Sequence, residues 1–197
     1  MKVTAETLTA SAAPDKSWLA IYADLVKARL TFLVLLTTSV GFYLGSRGGV
    51  DFPLMFHLLL GTGILASGAA ALNQFIEREL DAKMRRTRSR PLPSGKLLPE
   101  TVLGFGTACA FVGLASLAWL VNPLTGLLGA LTLATYLFVY TPLKRITWLN
   151  TWVGAIPGAL PPLLGWVAAR NTITLEGATL FAIQFLWQIP HFLAIAW

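Results

Sequence analysis

The chain is poor in charge. Only 12% of its 197 residues are Asp, Glu, Lys or Arg, against 55% hydrophobic, where a soluble domain carries roughly 25% charged residues. That scarcity excludes an ordinary water-soluble fold and places the chain in the membrane class. It holds a single cysteine, Cys109, which excludes an internal disulfide framework and a cysteine metal cluster. The first sixteen residues, MKVTAETLTASAAPDK, lack the apolar run of a secretory signal and the arginines of a transit peptide. They read as a disordered tail, 1–16, ahead of a transmembrane domain, 17–197. The formal net charge is +6. Its positive residues flank apolar runs, so membrane topology explains them better than a nucleic-acid partner.

Charge-free runs set the predicted spans. Leu30–Ser46 is the first, with Trp18, Ile21, Tyr22, Leu25 and Val26 forming an amphipathic lead-in, and Pro53–Ile76 is the second. Thr101–Leu143 holds 43 uncharged residues. At ~1.5 Å per residue this run is twice as long as a ~30 Å hydrocarbon core requires. It must be two helices, and Asn122-Pro123 is the turn between them. Ile146–Ala169 and Gly177–Trp197 complete six spans of an all-α, polytopic bundle. Lys and Arg fall on alternate connections: Lys2, Lys16, Lys27 and Arg29 before the first span, seven in Glu77–Glu100, then Lys144 and Arg145. The intervening connections hold only Arg47 and Arg170. The positive-inside rule therefore puts the N-terminus and the charged loops in the cytoplasm, in a cell or inner membrane.

One stretch stands apart. Residues 72–96 read LNQFIERELDAKMRRTRSRPLPSGK, and nine of the fourteen residues from Glu77 to Arg90 are charged. Asn73, Glu77 and Asp81 are spaced i, i+4, i+8. On a helix each step drifts only about 40° and rises about 6 Å, so the three stack on one face. An amide oxygen and two carboxylates suit magnesium, which takes one or two carboxylates plus substrate phosphates. Arg85, Arg86, Arg88 and Arg90 follow, and guanidinium groups grip phosphate oxygens bidentately. Acids beside arginines therefore suggest a diphosphate. A solvated loop that only anchors topology has the same composition, and residue spacing alone leaves both readings open. Arg78 and Glu79 lie on other faces and read as a local pair.

The string N-Q-F-I-E-R-E-L-D-A-K-M-R-R-T-R-S-R-P-L resembles the first aspartate-rich motif of the UbiA-like intramembrane prenyltransferases. Asn73, Arg78, Asp81, Arg86, Thr87, Arg90, Pro91 and Leu92 match it. Gln74 and Glu77 stand where most members have aspartate, a form similar to that of the branch that farnesylates haem. Three further stretches resemble that branch: Tyr140–Thr147 with Asn150 and Gly154, Gly158–Trp166, and Gln184–Phe192. The likeness covers about residues 25–197.

The resemblance implies a bundle of about nine helices. It implies farnesyl transfer from farnesyl diphosphate to a vinyl group of haem B (protohaem IX), with release of diphosphate and formation of haem O. Magnesium would be held by Asn73, Glu77 and Asp81, with Arg86, Arg90, Lys144 and Arg145 as catalytic cations toward the leaving group. The lipid bilayer and a downstream haem-modifying enzyme are the expected partners. Lys144-Arg145 also reads as a topology anchor. His191, an ionisable group in an apolar span, is a candidate haem-binding residue toward the iron or a propionate. The alternative is that it bonds a carbonyl freed by Pro190. His57 reads as structural, Trp166 and Trp187 as packing residues, and Gly61, Gly63 and Gly68 as points of close helix approach.

The resemblance also implies a second acidic motif after the Pro190-His191-Phe192 segment. The chain stops at Trp197 before any such motif, which predicts a C-terminally truncated form of weak or no activity by itself. Two other readings stand beside this one. A prenyltransferase for another aromatic acceptor would share the acids. A non-catalytic haem-binding membrane protein would not need Glu77 or Asp81. A transporter is disfavoured by the absence of an apparent inverted repeat.

Overall fold

The computed structural model describes residues 17–144, 146, 147 and 149–196. The predicted tail 1–16 and Arg145 lie outside the described residues. The described residues form helices joined by short turns, apart from the long connection 84–98. Helix α1 (Trp18–Leu25) is the amphipathic lead-in, with Ser17 Oγ accepting from the Ala20 N–H at its start and Ile21 and Leu25 buried. It breaks at Lys27 and resumes as α2 (Ala28–Gly45).

Helix α3 (Phe52–Lys83) is 32 residues long, capped by the Asp51 carboxylate on the Leu54 N–H with Pro53 in its first turn. It does not stop where the apolar run stops. It carries Asn73, Glu77 and Asp81 on the same uninterrupted helix that crosses the bundle. Helix α4 (Pro99–Ser116) winds into a π-helical turn, Leu117–Val121. There Asn122 ends one span and caps the next, its Oδ1 accepting from the N–H and hydroxyl of Thr125. The predicted break at Asn122-Pro123 is therefore present. Helix α5 (Pro123–Ala134) passes through a second π-helical segment, Thr135–Tyr140, into the single turn α6 (Thr141–Leu143). Helix α7 (Asn150–Arg170) starts four residues later than expected, and α8 (Leu175–Ala196) two residues earlier.

Among the described residues five segments are long and apolar enough to cross a membrane: Ala28–Gly45, Phe52–Lys83, Pro99–Val121, Pro123–Leu143 and Asn150–Arg170; the sixth predicted span, Gly177–Trp197, is not among them. Helix α7 is the central one, buried along most of its length despite three internal prolines. Inside a bilayer, lipid is as apolar as leucine, so helices associate by close packing rather than by the hydrophobic effect. Small residues make that approach possible here. A Cβ on Gly41 would strike the Pro162 carbonyl of α7, and one on Gly165 the Thr38 carbonyl of α2. Gly68 faces the α4 backbone at Ala110 in the same way, and Gly61 faces the Leu117 side chain. Gly63 meets only Leu35 at ordinary contact distance, so it is not a point of close approach.

A second, smaller apolar cluster sits at the charged end. Ile21 and Leu25 of α1, Ala71 of α3, Val102 of α4, and Leu92 and Leu97 of the α3–α4 connection pack together. The second half of the arginine-rich loop is thus pinned by Leu92 and Leu97, and α1 is packed beside the part of α3 that bears the acids.

Candidate functional site

Asn73, Glu77 and Asp81 fall on one face of α3, as the spacing predicts, and all three are at most 3% exposed. Two carboxylates cannot be buried so deeply without partners, and each has a cation. Lys144 Nζ donates to Glu77 Oε2 at 2.7 Å and lies 2.5 Å from Oε1. Arg90 Nη1 donates to Asp81 Oδ2 at 2.6 Å. Lys27 Nζ donates to Asn73 Oδ1 at 3.1 Å and to the Tyr136 hydroxyl at 3.4 Å.

Each cation arrives from a different element, and local chemistry explains its placement. Arg90 comes from the loop after α3. Thr87, itself buried, donates its hydroxyl to the Asp81 carbonyl at 2.9 Å, folding the loop back over the helix end. Lys144 follows α6, and its ammonium lies 5.8 Å from the ring centroid of Tyr140, which stacks on Tyr136. The π-helical segment before it shifts the register of the hydrogen bonds, and Thr141 absorbs the mismatch. The Thr141 hydroxyl donates to the Tyr136 carbonyl at 2.8 Å and accepts from Asn73 Nδ2 at 3.1 Å. Short π-helical insertions of this kind are frequent at functional sites.

Lys27 comes from the break between α1 and α2, where its backbone is left-handed (φ 50°, ψ 53°). A non-glycine residue in that conformation costs about 1–2 kcal/mol, so surrounding contacts must hold it. Burial, then the positive charges of Arg90 and Lys144, lower its ammonium from 10.5 to about 8, against the raising effect of Glu77 and Asp81. With Lys27 protonated, three cations face two carboxylates and an amide, so the face as a whole is electropositive and poised for an anion.

The oxygens of this face are hard donors. Two carboxylates and an amide carbonyl, buried together and facing cations, are the donor set that magnesium takes alongside a phosphate. The residues therefore fit the ion that the sequence implies, with substrate oxygens needed to complete its shell.

The remaining sequence candidates make no direct bond to the acids among the described contacts. Arg86 is exposed on the loop, within electrostatic reach of Tyr140 beside Lys144. Arg78 lies 4.7 Å over the Phe75 ring and 3.7 Å from Glu79, a local surface pair as expected. His191 is exposed on α8, where its ring stacks on Trp187 at 4.6 Å, away from the acids in sequence and element. Trp166 is in the core beneath the Arg170 guanidinium. Two open surface grooves lie along the outer face of α2, and neither includes an acid of α3. Sequence reasoning missed Lys27, Tyr136 and Thr141. Lys27 had been counted only toward topology; its signal was a lysine at the junction of an amphipathic and an apolar helix.

Residues 34–197 match the UbiA prenyltransferase family. The chain is 50% identical over 186 residues to the protoheme IX farnesyltransferase of Solibacter usitatus, covering 89% of this chain and 63% of that protein. It is 45% identical over 177 residues to the mitochondrial protoheme IX farnesyltransferase of Homo sapiens, covering 90% and 40%. The chain thus spans less than two thirds of the length of these relatives. In fold it is similar to a UbiA homologue from Archaeoglobus fulgidus bound to GPP and Mg2+, with a TM-score of 0.70 at 19% identity, covering 87% of this chain and 62% of that one. It is likewise similar to the apo UbiA homologue from Aeropyrum pernix K1, with a TM-score of 0.69 at 25% identity, covering 82% and 60%.

Proposed function

The chain belongs to the UbiA prenyltransferase family, and from that membership we propose that it forms the diphosphate-activating part of a protohaem IX farnesyltransferase. The observation that carries the reading is the buried face of α3, where Asn73, Glu77 and Asp81 meet Lys27, Lys144 and Arg90. Relatives named protoheme IX farnesyltransferase, at 50% and 45% identity, support haem B as acceptor.

In the proposed reaction the bond between farnesyl C1 and the diphosphate oxygen breaks, and the electron pair leaves with diphosphate. A carbon–carbon bond forms between farnesyl C1 and a haem vinyl group. Water then adds to the vinyl carbon left electron-poor, losing a proton, to give the hydroxyethylfarnesyl group of haem O. The difficult part is the negative charge growing on the leaving group. Arg90 and Lys144 supply fixed positive charge where it develops, held against carboxylates that are themselves buried. Glu77 and Asp81 hold those cations in place between turnovers and, with Asn73, would hold magnesium. Magnesium would add Lewis-acid stabilisation of the departing oxygens. The apolar helices α2, α3 and α7 offer the dry surface that a farnesyl chain and an allylic cation need.

The positive-inside count supports a cytoplasmic position for this face, and a cell or inner membrane is the proposed location. The test is haem O formation, by mass spectrometry, in membranes supplied with haem B, farnesyl diphosphate and magnesium, for this chain and for a version extended to the length of its relatives. Haem O from the extended form and none from its Asp81→Asn variant supports the reading. Haem binding without magnesium-dependent diphosphate release overturns it.

A further inference from the structure

Gln74 lies beside Asn73 on α3 and is fully buried, about 100° around the helix from Asn73 but only about 60° from Glu77 and about 20° from Asp81. Its amide Nε2 donates to two backbone carbonyls of α1, Leu25 at 2.8 Å and Asp24 at 3.2 Å. Carbonyls only accept, so the NH2 group must be the end facing them. The other end, Oε1, is buried and finds no donor. The last carbonyls of a helix have no partner within it. Gln74 therefore caps the C-terminus of α1 from another helix, two residues before the left-handed Lys27.

We propose that Gln74 is a positioning residue: by holding the terminal carbonyls of α1 it sets the α1–α2 break so that Lys27 Nζ lies against Asn73 and Tyr136 as the third cation of the site. The proposal rests on the diphosphate reading above. Several observations converge on it. Lys27 sits in a strained conformation that something must hold. The side chains of Ile21 and Leu25 meet α3 in apolar contact, which fixes neither the rotation nor the end of α1. The two Gln74 bonds are directional and fix both. An acidic side chain at 74 would turn acceptors alone toward two carbonyl oxygens, so glutamate is the sharpest probe of the contact. A direct metal-ligand role would rest on Oε1 alone, because the Nε2 end of the same amide is committed to α1.

The test uses the purified protein in lipid nanodiscs, with two readouts. The first is amine acylation at Lys27 and Lys144, quantified by mass spectrometry on the same molecules. The Gln74→Glu and Gln74→Met variants should raise labelling at Lys27 by at least about threefold and leave Lys144 unchanged. The second is affinity for farnesyl diphosphate with magnesium. Each Gln74 variant and Lys27→Ala should weaken it about tenfold, the scale of losing support for a ligand-binding group. The double variant should lose no more than either single one. Unchanged labelling at Lys27, an equal rise at both lysines, or multiplicative losses in the double variant would each overturn the proposal. If wild-type protein does not bind farnesyl diphosphate, the functional reading fails, and the labelling ratio alone decides whether Gln74 positions Lys27.

Discussion

Lys144 and Glu77 are 67 residues apart in sequence and meet through a 2.7 Å hydrogen bond at a carboxylate that is 3% exposed. The contact ties the turn after α6 to the middle helix of the charged end. It converts what sequence alone allowed to be a topology anchor into part of the site. A Glu77→Gln variant keeps the shape of the side chain and removes its charge. Haem O formation should fall about 10²–10³-fold, the usual scale for losing one preorganised electrostatic group. A variant with wild-type turnover would show that the pair is structural.

Arg90 offers a graded version of the same test. Arg90→Ala leaves Asp81 buried without its partner, and breaking such a pair costs about 3–5 kcal/mol when fully buried. Arg90 is itself 27% exposed on its side chain, so solvent screening brings the expected loss below that range. The melting midpoint in detergent should drop and farnesyl diphosphate binding should weaken. Arg90→Lys keeps the charge without the planar fork and should fall between the two, with most of the stability recovered.

Chelation separates the metal from the cations. EDTA should abolish diphosphate release from wild-type protein, and added magnesium should restore it. In Glu77→Ala and Asp81→Asn variants, magnesium should restore little at any concentration. Metal-independent release in wild type would remove magnesium from the reading while leaving the cation face in place.

Backbone-to-backbone packing predicts a contrast between two glycines. Gly41→Ala drives a methyl group into the Pro162 carbonyl, which cannot swing aside. Overpacking of this kind costs about 1–3 kcal/mol, read as a lower melting midpoint and less folded protein in the membrane. Gly63→Ala meets only Leu35 at 3.7 Å and should be neutral on the same assay.

Orientation is testable with single cysteines in a Cys109→Ala background. A cysteine at Ser89 should react with a membrane-impermeant thiol reagent from the same side as one at Lys16, and a cysteine at Gly48 from the opposite side. Labelling of Ser89 and Gly48 from one side would overturn the alternation of sides expected from the positive-inside rule.

The acid face was legible because helical periodicity is local: residues four apart on one helix must share a side, whatever the rest of the chain does. The Asn122-Pro123 break was legible for a similar reason, since 43 uncharged residues exceed one bilayer crossing. What pairs with the acids was only partly legible. Arg90 and Lys144 were anticipated through resemblance to a family motif, but Lys27 was not. Its approach depends on a left-handed turn and on the contact between α1 and α3, neither of which has a periodic signature. The start of α7 at Asn150 was missed because a charge-free run says how much chain is apolar, and not where helical hydrogen bonding begins. The first helical residues of α3 were placed within one position, but its end was not. An apolar count stops at Ile76, whereas the helix runs on to Lys83.

That continuation has a consequence for how a lipid-like substrate would be measured out. A helix of 32 residues is about 48 Å long, well beyond the ~30 Å of hydrocarbon in a typical bilayer. Its acids and its greasy length are therefore marks on one rigid ruler, at a constant separation. An amphiphile lying alongside, with its head at Glu77 and Asp81, would have its tail held at a depth fixed by the protein rather than by the surrounding lipid. Thinner or thicker bilayers would then tilt or sink the ruler as a unit, so head and tail would stay in register while membrane composition changes.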